Sequence, residues 1–250
     1  TEAQSRAAES HGIATVVVDS APRPTSLIQC FTFVFKVLSG IMSARRELKN
    51  FAPDAVLGMG SFASFTASVA AWTLGIPIFL HEGNARIGKT NRFLSRWARY
   101  LAISFPPVNS SECKCPISCT GMPVRPELLG EHLSRERALE LINSRHNTSF
   151  DPSKPLLLIF GGSQGAQAFN RTLPAALMSL GERSPQVIHL SGKGKLEEVK
   201  TAYDGAAFAN LALEEVEYIG ALYSACDAIF CRAGASSIAE ISLFNRYSFL

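Results

Sequence analysis

Two segments of the chain combine residues suited to binding phosphate. Each is an apolar run that breaks into a glycine turn and then into a helical pattern, at residues 155–170 (PLLLIFGGSQGAQAFN) and 227–241 (DAIFCRAGASSIAEI). A helix that begins at such a turn leaves backbone N–H groups unpaired at its positive end, where an anion is stabilised. Two such turns in one half of the chain predict binding of a nucleoside diphosphate.

The first turn also has a hydrolase interpretation. Residues 161–165 satisfy the G-x-S-x-G pattern of the α/β-hydrolase nucleophile elbow, which needs an acid and then a histidine later in the chain. The last histidine is His189, and Glu182 is the one acid between it and Ser163. These positions disfavour a hydrolase, unless residues beyond Leu250 supply the triad.

A third glycine segment allows a dinucleotide interpretation. Residues 58–63 (GMGSFA) match G-x-G-x-x-G/A after a predicted strand, and Glu82 ends the next strand, where a ribose-binding acid would sit. A tight turn without a ligand is the alternative here. No Gly-Lys-Ser/Thr follows either of the first two turns, so neither is a Walker A loop.

Alternating strands and helices must position these turns. Short apolar strands separated by helical stretches predict parallel sheets covered on both faces. We therefore expect an α/β fold of two doubly wound domains, at 1–125 and 126–250, with ligand at the carboxyl ends of the strands. The predicted strands are 12–18, 54–58, 76–80, 100–105, 156–160, 186–190, 216–219 and 228–231.

Composition excludes several classes of protein. With 250 residues, 47% of them hydrophobic, the chain can bury a substantial core. The longest apolar run, 27–42, is too short and too often interrupted by polar residues to span a bilayer comfortably. The cysteines lie mostly singly in apolar runs without a signal peptide, which is typical of a reducing, cytosolic compartment. Cys113, Cys115 and Cys119 do not have the spacing of a common zinc site.

Charge is distributed unevenly along the chain. Residues 1–125 hold 13 Lys and Arg against 7 Asp and Glu, whereas residues 126–250 hold 11 against 14. Within the basic half, one predicted helical face combines apolar and basic side chains, which suits either an anionic membrane surface or packing on the sheet. The residues of this predicted membrane face are Phe31, Phe35, Leu38, Arg45, Arg46 and Lys49.

Four local sequences in order carry a family resemblance. They are DAVLGMGSFASF, IPIFLHEGNARIGKTNRFLSRWA, GMPVRPEL, and the pair GGSQGAQAFN with CRAGASSIAEI. Together they resemble, from about residue 10 to 250, the MurG family of peptidoglycan N-acetylglucosaminyltransferases, which have a GT-B fold. The resemblance implies inverting transfer of GlcNAc from UDP-GlcNAc to the C4 hydroxyl of a polyprenyl-linked muramyl-pentapeptide, at the cytoplasmic face of the inner membrane. A transferase for another lipid acceptor and a non-catalytic nucleotide-binding remnant are the alternatives.

The resemblance also implies a set of donor-binding residues. Ser163 with the amides after it and Arg125 would hold the nucleotide, the N–H groups of residues 235–237 would face the diphosphate, and Glu240 would accept from the ribose hydroxyls. The backbone of Ile219 would meet the uracil edge, and Asn84 would reach the sugar. The full set is Asn84, Arg125, Ser163, Ile219, Ala235, Ser236, Ser237 and Glu240, with Gly162, Gln164, Gly165 and Asn170 as further candidates. As alternatives without a ligand, Glu240 would be a solvated residue on its helix, and Asn170 would close the first turn of its helix.

Departures from the family pattern occur at Gly83, where Gln is usual, and at Ser61, where Gly is usual. The family's general base would lie before Thr1 and its sugar-reading segment beyond Leu250. We therefore expect these 250 residues alone to bind UDP weakly or not at all and to have no transferase activity. His81 ends an apolar strand and is expected to be buried. The resemblance implies no cofactor, no metal and no nucleic-acid partner.

Overall fold

The computed structural model describes residues 8–9, 12–18, 27–60, 63–130, 132–162 and 166–250. The chain divides between Met122 and Pro123 into two compact units, here called the N-terminal and C-terminal units. Arg125, at the end of the first predicted domain, belongs to the C-terminal unit.

The N-terminal unit is built on four parallel strands that lie in the order of the sequence. These are β1 (Val56–Gly58), β2 (Ile78–Glu82), β3 (Tyr100–Ile103) and β4 (Ile117–Cys119). The helices are α1 (Leu27–Phe51), α2 (Ala63–Thr73) and α3 (Lys89–Leu94).

The two faces of this sheet differ in burial. On β2, Ile78 and Leu80 are buried in the core, and on β3 Leu101 is buried beside them. Leu57, Phe79 and Tyr100 lie in register across three strands on the opposite face, and they are exposed by 60%, 38% and 50%. The expectation of a sheet covered on both faces therefore does not hold for this unit within the described residues.

Residues 12–18 form no strand, which contradicts the prediction for GIATVVV. Apolar alternation predicts a strand only if a neighbouring strand supplies backbone partners, and none of the described strands pairs with this segment. The side chains of Ile13, Val16 and Val17 remain exposed, Val17 by 79%.

The C-terminal unit is a five-stranded parallel sheet in the order β7-β6-β5-β8-β9. The strands are β5 (Leu156–Phe160), β6 (Gln186–Leu190), β7 (Asn210–Leu213), β8 (Ala228–Cys231) and β9 (Tyr247–Phe249). The helices are α4 (Arg135–His146), α5 (Gln167–Met178), α6 (Leu196–Ala202), α7 (Ile219–Ala225) and α8 (Ala235–Phe244).

The prediction of a strand at 216–219 is wrong, because the third strand is β7 and Ile219 begins α7. The segment VEYI is apolar enough for either element. Ile219 is 6% exposed and packs in the core as the first residue of a helix, so burial alone accounts for its apolar character.

The strand order places a topological switch point between β5 and β8. From β5 the chain winds outward through β6 and β7 on one side, then returns to form β8 on the other side of β5. In open parallel sheets, ligands bind where the winding direction reverses, at the carboxyl ends of the two strands. The two glycine turns found in the sequence, within residues 155–170 and 227–241, directly follow these two strands.

The core of this unit is centred on β5, which is buried on both faces. Leu158 is fully buried, and its register partners, Ile188 on β6 and Ile229 on β8, are fully buried as well. This is the packing expected of the central strand of a parallel sheet.

Truncation of Leu158 tests this core. We expect Leu158→Ala to lower the free energy of unfolding by about 2–5 kcal/mol, because it leaves a cavity in the core that covers this face of the sheet. Leu180→Ala, at a position that is 41% exposed, should cost less than about 1 kcal/mol. Urea unfolding of both variants measures the difference, and equal costs would contradict the assignment of β5 as the central strand.

Candidate functional site

The two glycine turns begin side by side. Phe160, the last residue of β5, is in register with Cys231, the last residue of β8. The first turn leads to α5 and the second to α8, so the amino ends of both helices lie at the switch point. Ser163, Gln164 and Gly165 lie outside the described residues.

The first turn requires a glycine for its backbone conformation. Gly162 has φ +82°, in the left-handed region, and it is exposed. An added Cβ would meet nothing within 4 Å, so the constraint is the backbone rather than space.

The second turn leaves an open helix terminus. The Gly234 N–H donates to the Arg232 carbonyl at 2.7 Å, and the first carbonyl bond of α8 runs from the Ile238 N–H to the Gly234 oxygen at 2.9 Å. Gly234 is the N-cap residue and has no side chain with which to cap the helix. Within the described residues, the N–H groups of Ala235, Ser236 and Ser237 therefore have no partner, and together with the helix dipole they suit an anion.

One turn further along α8, Glu240 carries a half-enclosed carboxylate, with a side chain that is 13% exposed. Arg125 donates from one guanidinium nitrogen, Nη2, to both carboxylate oxygens at 3.1 and 3.2 Å. The Tyr223 hydroxyl donates to Oε2 at 3.0 Å. The structure therefore brings together two predicted residues, Arg125 and Glu240, which are 115 residues apart in the chain.

Packing of the segment that follows Arg125 against α7 and α8 holds Arg125 in place. Arg125 precedes a single 3₁₀ turn, Pro126–Leu128, and Leu128 is buried against α7. A Cβ at Gly220 would lie 3.0 Å from a Leu128 methyl carbon, so glycine lets the two segments approach closely. The next segment is held as well, because the His132 ring stacks on Phe244 of α8 at 3.9 Å.

A second acid, Glu82 in the N-terminal unit, has a different environment. It is 5% exposed, and each of its oxygens accepts two N–H donors from the loop that follows it and from α3. Oε1 accepts from the Asn84 backbone and side-chain amide at 3.2 and 2.8 Å, and Oε2 from the Gly88 N–H and the Asn91 amide at 2.8 and 3.0 Å. An ionised carboxylate has about four acceptor directions, so none remains for a ribose. This geometry disfavours the dinucleotide interpretation and gives Glu82 the role of organising its loop.

Residues 1–103 match the glycosyltransferase family 28 N-terminal domain, and residues 156–248 match the glycosyltransferase family 28 C-terminal domain. The chain belongs to glycosyltransferase family 28. Both matches fall on the parallel sheets, and the second includes both glycine turns and Glu240.

Curated relatives and a solved structure agree with this family assignment. A Vibrio parahaemolyticus protein is 36% identical over 211 residues, covering 83% of this chain and 54% of the relative, and a Vibrio cholerae protein is 34% identical over 221 residues, covering 88% and 58%. Both are named UDP-N-acetylglucosamine–N-acetylmuramyl-(pentapeptide) pyrophosphoryl-undecaprenol N-acetylglucosamine transferase. The crystal structure of Acinetobacter baumannii MurG is 30% identical, with TM-score 0.67 over 96% of this chain and 65% of that one.

The chain thus spans a little over half the length of the curated family 28 relatives it matches. The predicted fold class, α/β of the GT-B type, is confirmed by these family 28 matches and by the structural similarity to MurG.

Among the family 28 candidates, Asn170 lies inside the unit, at 1% exposure. Its amide donates to the Ser191 carbonyl at 3.0 Å, and its Oδ1 lies 3.1 Å from His189 Nε2, which therefore carries the proton. The other nitrogen of His189 lies 3.1 Å from the Tyr203 hydroxyl. Asn170 therefore joins α5 to the end of β6, and its contact with the nucleotide remains a prediction.

Sequence reasoning missed Tyr223, which contacts Glu240 directly. It is 1% exposed in a helix, IGALYSA, whose other residues are mostly apolar or small. A buried tyrosine usually directs its hydroxyl to a partner, and that is the signal by which it could have been found.

His81, Cys113 and Cys115 have structural partners. His81 is buried, with Nε2 3.4 Å from both the Gly121 carbonyl and Ser104 Oγ. The sulfurs of Cys113 and Cys115 lie 3.6 Å apart, and burial together with a hydrogen bond to Cys113 raises the pKa of Cys115 to about 12. In the described part of the chain, no group of three His, Cys, Asp or Glu residues could hold a metal ion.

The apolar face of α1 is exposed in the N-terminal unit. Phe35, Leu38 and Met42 are exposed by 75%, 55% and 72%, whereas Ala44, on the opposite side of the helix, is buried. Arg46 and Lys49 are exposed on the same helix, and Arg45 donates to the Thr73 carbonyl of α2 at 3.0 Å. The Phe31 side chain lies outside the described residues. Packing on the sheet therefore does not account for this face in the described unit.

The buried His189 predicts an acid-sensitive fold. Burial lowers the pKa of His189 from 6.5 to about 4, so between these values the unfolded chain binds a proton that the folded chain does not. Stability that is present above pH 6.5 should therefore fall by about 3 kcal/mol as the pH drops to 4.

Urea unfolding at several pH values measures this loss. His189→Gln should flatten the pH dependence, because glutamine takes up no proton in this range. An unchanged pH profile in His189→Gln would show that other groups cause the acid sensitivity.

Proposed function

We propose that this protein is an inverting glycosyltransferase that transfers GlcNAc from UDP-GlcNAc to the C4 hydroxyl of an undecaprenyl-pyrophosphoryl muramyl-pentapeptide. Membership of family 28 supports this proposal, as do the names of relatives that are 34–36% identical. The observation that carries it is the arrangement at the switch point, where an open helix terminus lies one turn from the Glu240 carboxylate.

The donor site follows from the chemistry of UDP. The diphosphate would accept hydrogen bonds from the N–H groups of Ala235, Ser236 and Ser237 and from the turn that contains Ser163. Glu240 would accept from the ribose hydroxyls, and the Arg125 guanidinium would complement the diphosphate charge. The uracil contact of Ile219 and the sugar contact of Asn84 remain predictions.

The reaction is a single displacement. The muramyl C4 oxygen forms a bond to C1 of GlcNAc while the bond from C1 to the UDP oxygen breaks, and the hydroxyl proton passes to a base that we do not assign. UDP gains negative charge as it leaves. N–H groups and a guanidinium fixed near that charge stabilise the transition state more than the ground state, which is how preorganised polar groups accelerate a reaction.

A lipid-linked acceptor requires access to a membrane surface. None of the helices within the described residues has both the length and the apolar character needed to cross a bilayer. We propose that the exposed face of α1 lies on the anionic cytoplasmic surface of the inner membrane. Its apolar side chains and the neighbouring Arg46 and Lys49 are the combination that binds such surfaces.

Removal of the Glu240 charge tests the donor site. We expect Glu240→Gln to weaken UDP binding roughly 10- to 100-fold, because hydrogen bonds to a charged acceptor contribute about 1.5–3 kcal/mol. Isothermal titration calorimetry with UDP measures the change.

Glu198→Gln is the matched control, because Glu198 is a partly exposed, ion-paired glutamate on α6 of the same unit. It should bind UDP like the wild type. Normal UDP binding by Glu240→Gln would show that α8 is not part of the donor site, and a full-length wild-type protein that binds no UDP would refute the proposed function.

Charge reversal tests the membrane surface. The double variant Arg46→Glu, Lys49→Glu should bind vesicles containing phosphatidylglycerol at least about tenfold more weakly, since each basic residue near an anionic surface contributes about 1 kcal/mol. Arg45 is left intact because it holds the end of α2. Sedimentation with vesicles measures binding.

The control variant, Arg137→Glu with Lys154→Glu, makes the same charge change at exposed positions of the C-terminal unit and should bind as the wild type does. Phe35→Ser with Leu38→Ser should weaken binding without a change of charge. If all three variants sediment like the wild type, α1 is not the membrane face.

A further inference from the structure

The carboxylate of Glu240 has two partners of different kinds. Tyr223, on α7, is 1% exposed and donates its hydroxyl to Oε2 at 3.0 Å. Arg125 donates to both oxygens, but its side chain is 47% exposed. One partner is fixed in the core, and the other is free to move into solvent.

Packing and charge both keep Tyr223 a donor. Its ring packs against the rings of Phe160, the last residue of β5, and Phe244 of α8. The ring centroids are 6.1 Å and 5.2 Å apart, respectively. Burial, and then the charge of Glu240, raise the pKa of the Tyr223 hydroxyl well above its usual range. The hydroxyl therefore keeps its proton and directs it at Glu240.

The acceptor directions of Glu240 are not all filled. An ionised carboxylate has about four, two on each oxygen. Tyr223 uses one on Oε2 and Arg125 uses one on each oxygen, which leaves one on Oε1. A vicinal diol donates two hydrogen bonds, so both hydroxyls can bind only if Arg125 releases the carboxylate.

Glu82 shows what a carboxylate with a purely structural role is like in this protein. Each of its oxygens has two N–H donors from residues 84–91, and no partner is an exposed, mobile cation. Glu240 differs because its most exposed partner is a guanidinium that an anion can attract.

We infer that Tyr223 is a positioning residue that sets the Glu240 carboxylate to accept a vicinal diol, and that Arg125 occupies the diol position until a diphosphate attracts it. This inference rests on the proposed function, because the ligand that offers both groups is a ribonucleoside diphosphate. When the diphosphate binds, Arg125 leaves the Glu240 carboxylate and pairs with the diphosphate instead. The carboxylate is then free to accept from the diol.

The test uses Tyr223→Phe with UDP and 2′-deoxy-UDP in calorimetric titrations. The wild type should prefer UDP about tenfold or more, because the deoxy ligand lacks one donor to a charged acceptor. In Tyr223→Phe the preference should fall to roughly threefold or less, because the carboxylate is no longer held in the plane of the diol. A merely structural role would weaken both ligands equally.

Tyr203→Phe is the matched control. Tyr203 is a second buried tyrosine of the same unit, at 3% exposure, with its hydroxyl 3.1 Å from His189 rather than beside Glu240. Its removal should leave the tenfold preference unchanged.

Arg125→Gln supplies a second variant at an exposed position. Uridine offers the diol without the diphosphate, so this variant should bind uridine at least as tightly as the wild type while its UDP affinity falls about tenfold. Arg171→Gln, at an exposed arginine on α5, should change neither affinity.

The outcomes separate the two proposals. If the full-length wild type binds no UDP, the proposed function is refuted and this inference with it. If the wild type prefers UDP and Tyr223→Phe keeps that preference, or loses affinity for both nucleotides equally, the inference alone is overturned. Equal loss of UDP and uridine binding in Arg125→Gln would show that Arg125 does not cover the diol position.

Discussion

The parallel pairing of β5 with β8 is the constraint on which the proposed donor site depends. It places Phe160 and Cys231 side by side, so that two turns and two helix termini from distant parts of the chain open at one edge of the sheet. The strand order reverses its winding at this pair, and open parallel sheets bind their ligands at such an edge. Changes in the packing of β5 would displace both turns together.

Buried polar groups, rather than the turns themselves, fix the side chains around that edge. The buried Tyr223 donates to Glu240, and the contact of Leu128 with α7 holds the segment that carries the exposed Arg125. A second set of buried polar side chains, His189, Asn170 and Tyr203, joins β6 to α5 inside the unit. Because such groups are costly to leave unpaired, each partner restricts the conformations of the others.

Two carboxylates show why residue type alone does not identify a ligand site. Glu82 follows a strand at the position of a ribose-binding acid, yet its loop satisfies all its acceptor directions. Glu240 lies within a helix, at a position where a solvated side chain with no ligand could be expected. It is nevertheless held by a buried donor, Tyr223, and an exposed cation, Arg125. The number of acceptor directions left open distinguishes the two, and it depends on contacts between residues far apart in the chain.

The sequence by itself determined the parallel α/β class, both glycine turns and the family, because strand runs, turns and local motifs are encoded within short segments. It also predicted Arg125 and Glu240 as site residues, and the structure places these two in contact. It misassigned 12–18 and 216–219, since an apolar run becomes a strand only where another strand pairs with it. Only the tertiary structure decided that Tyr223 donates to Glu240, that Asn170 is enclosed and that the apolar face of α1 is exposed among the described residues. These features depend on which distant segments pack together, and no local pattern of residues specifies that packing.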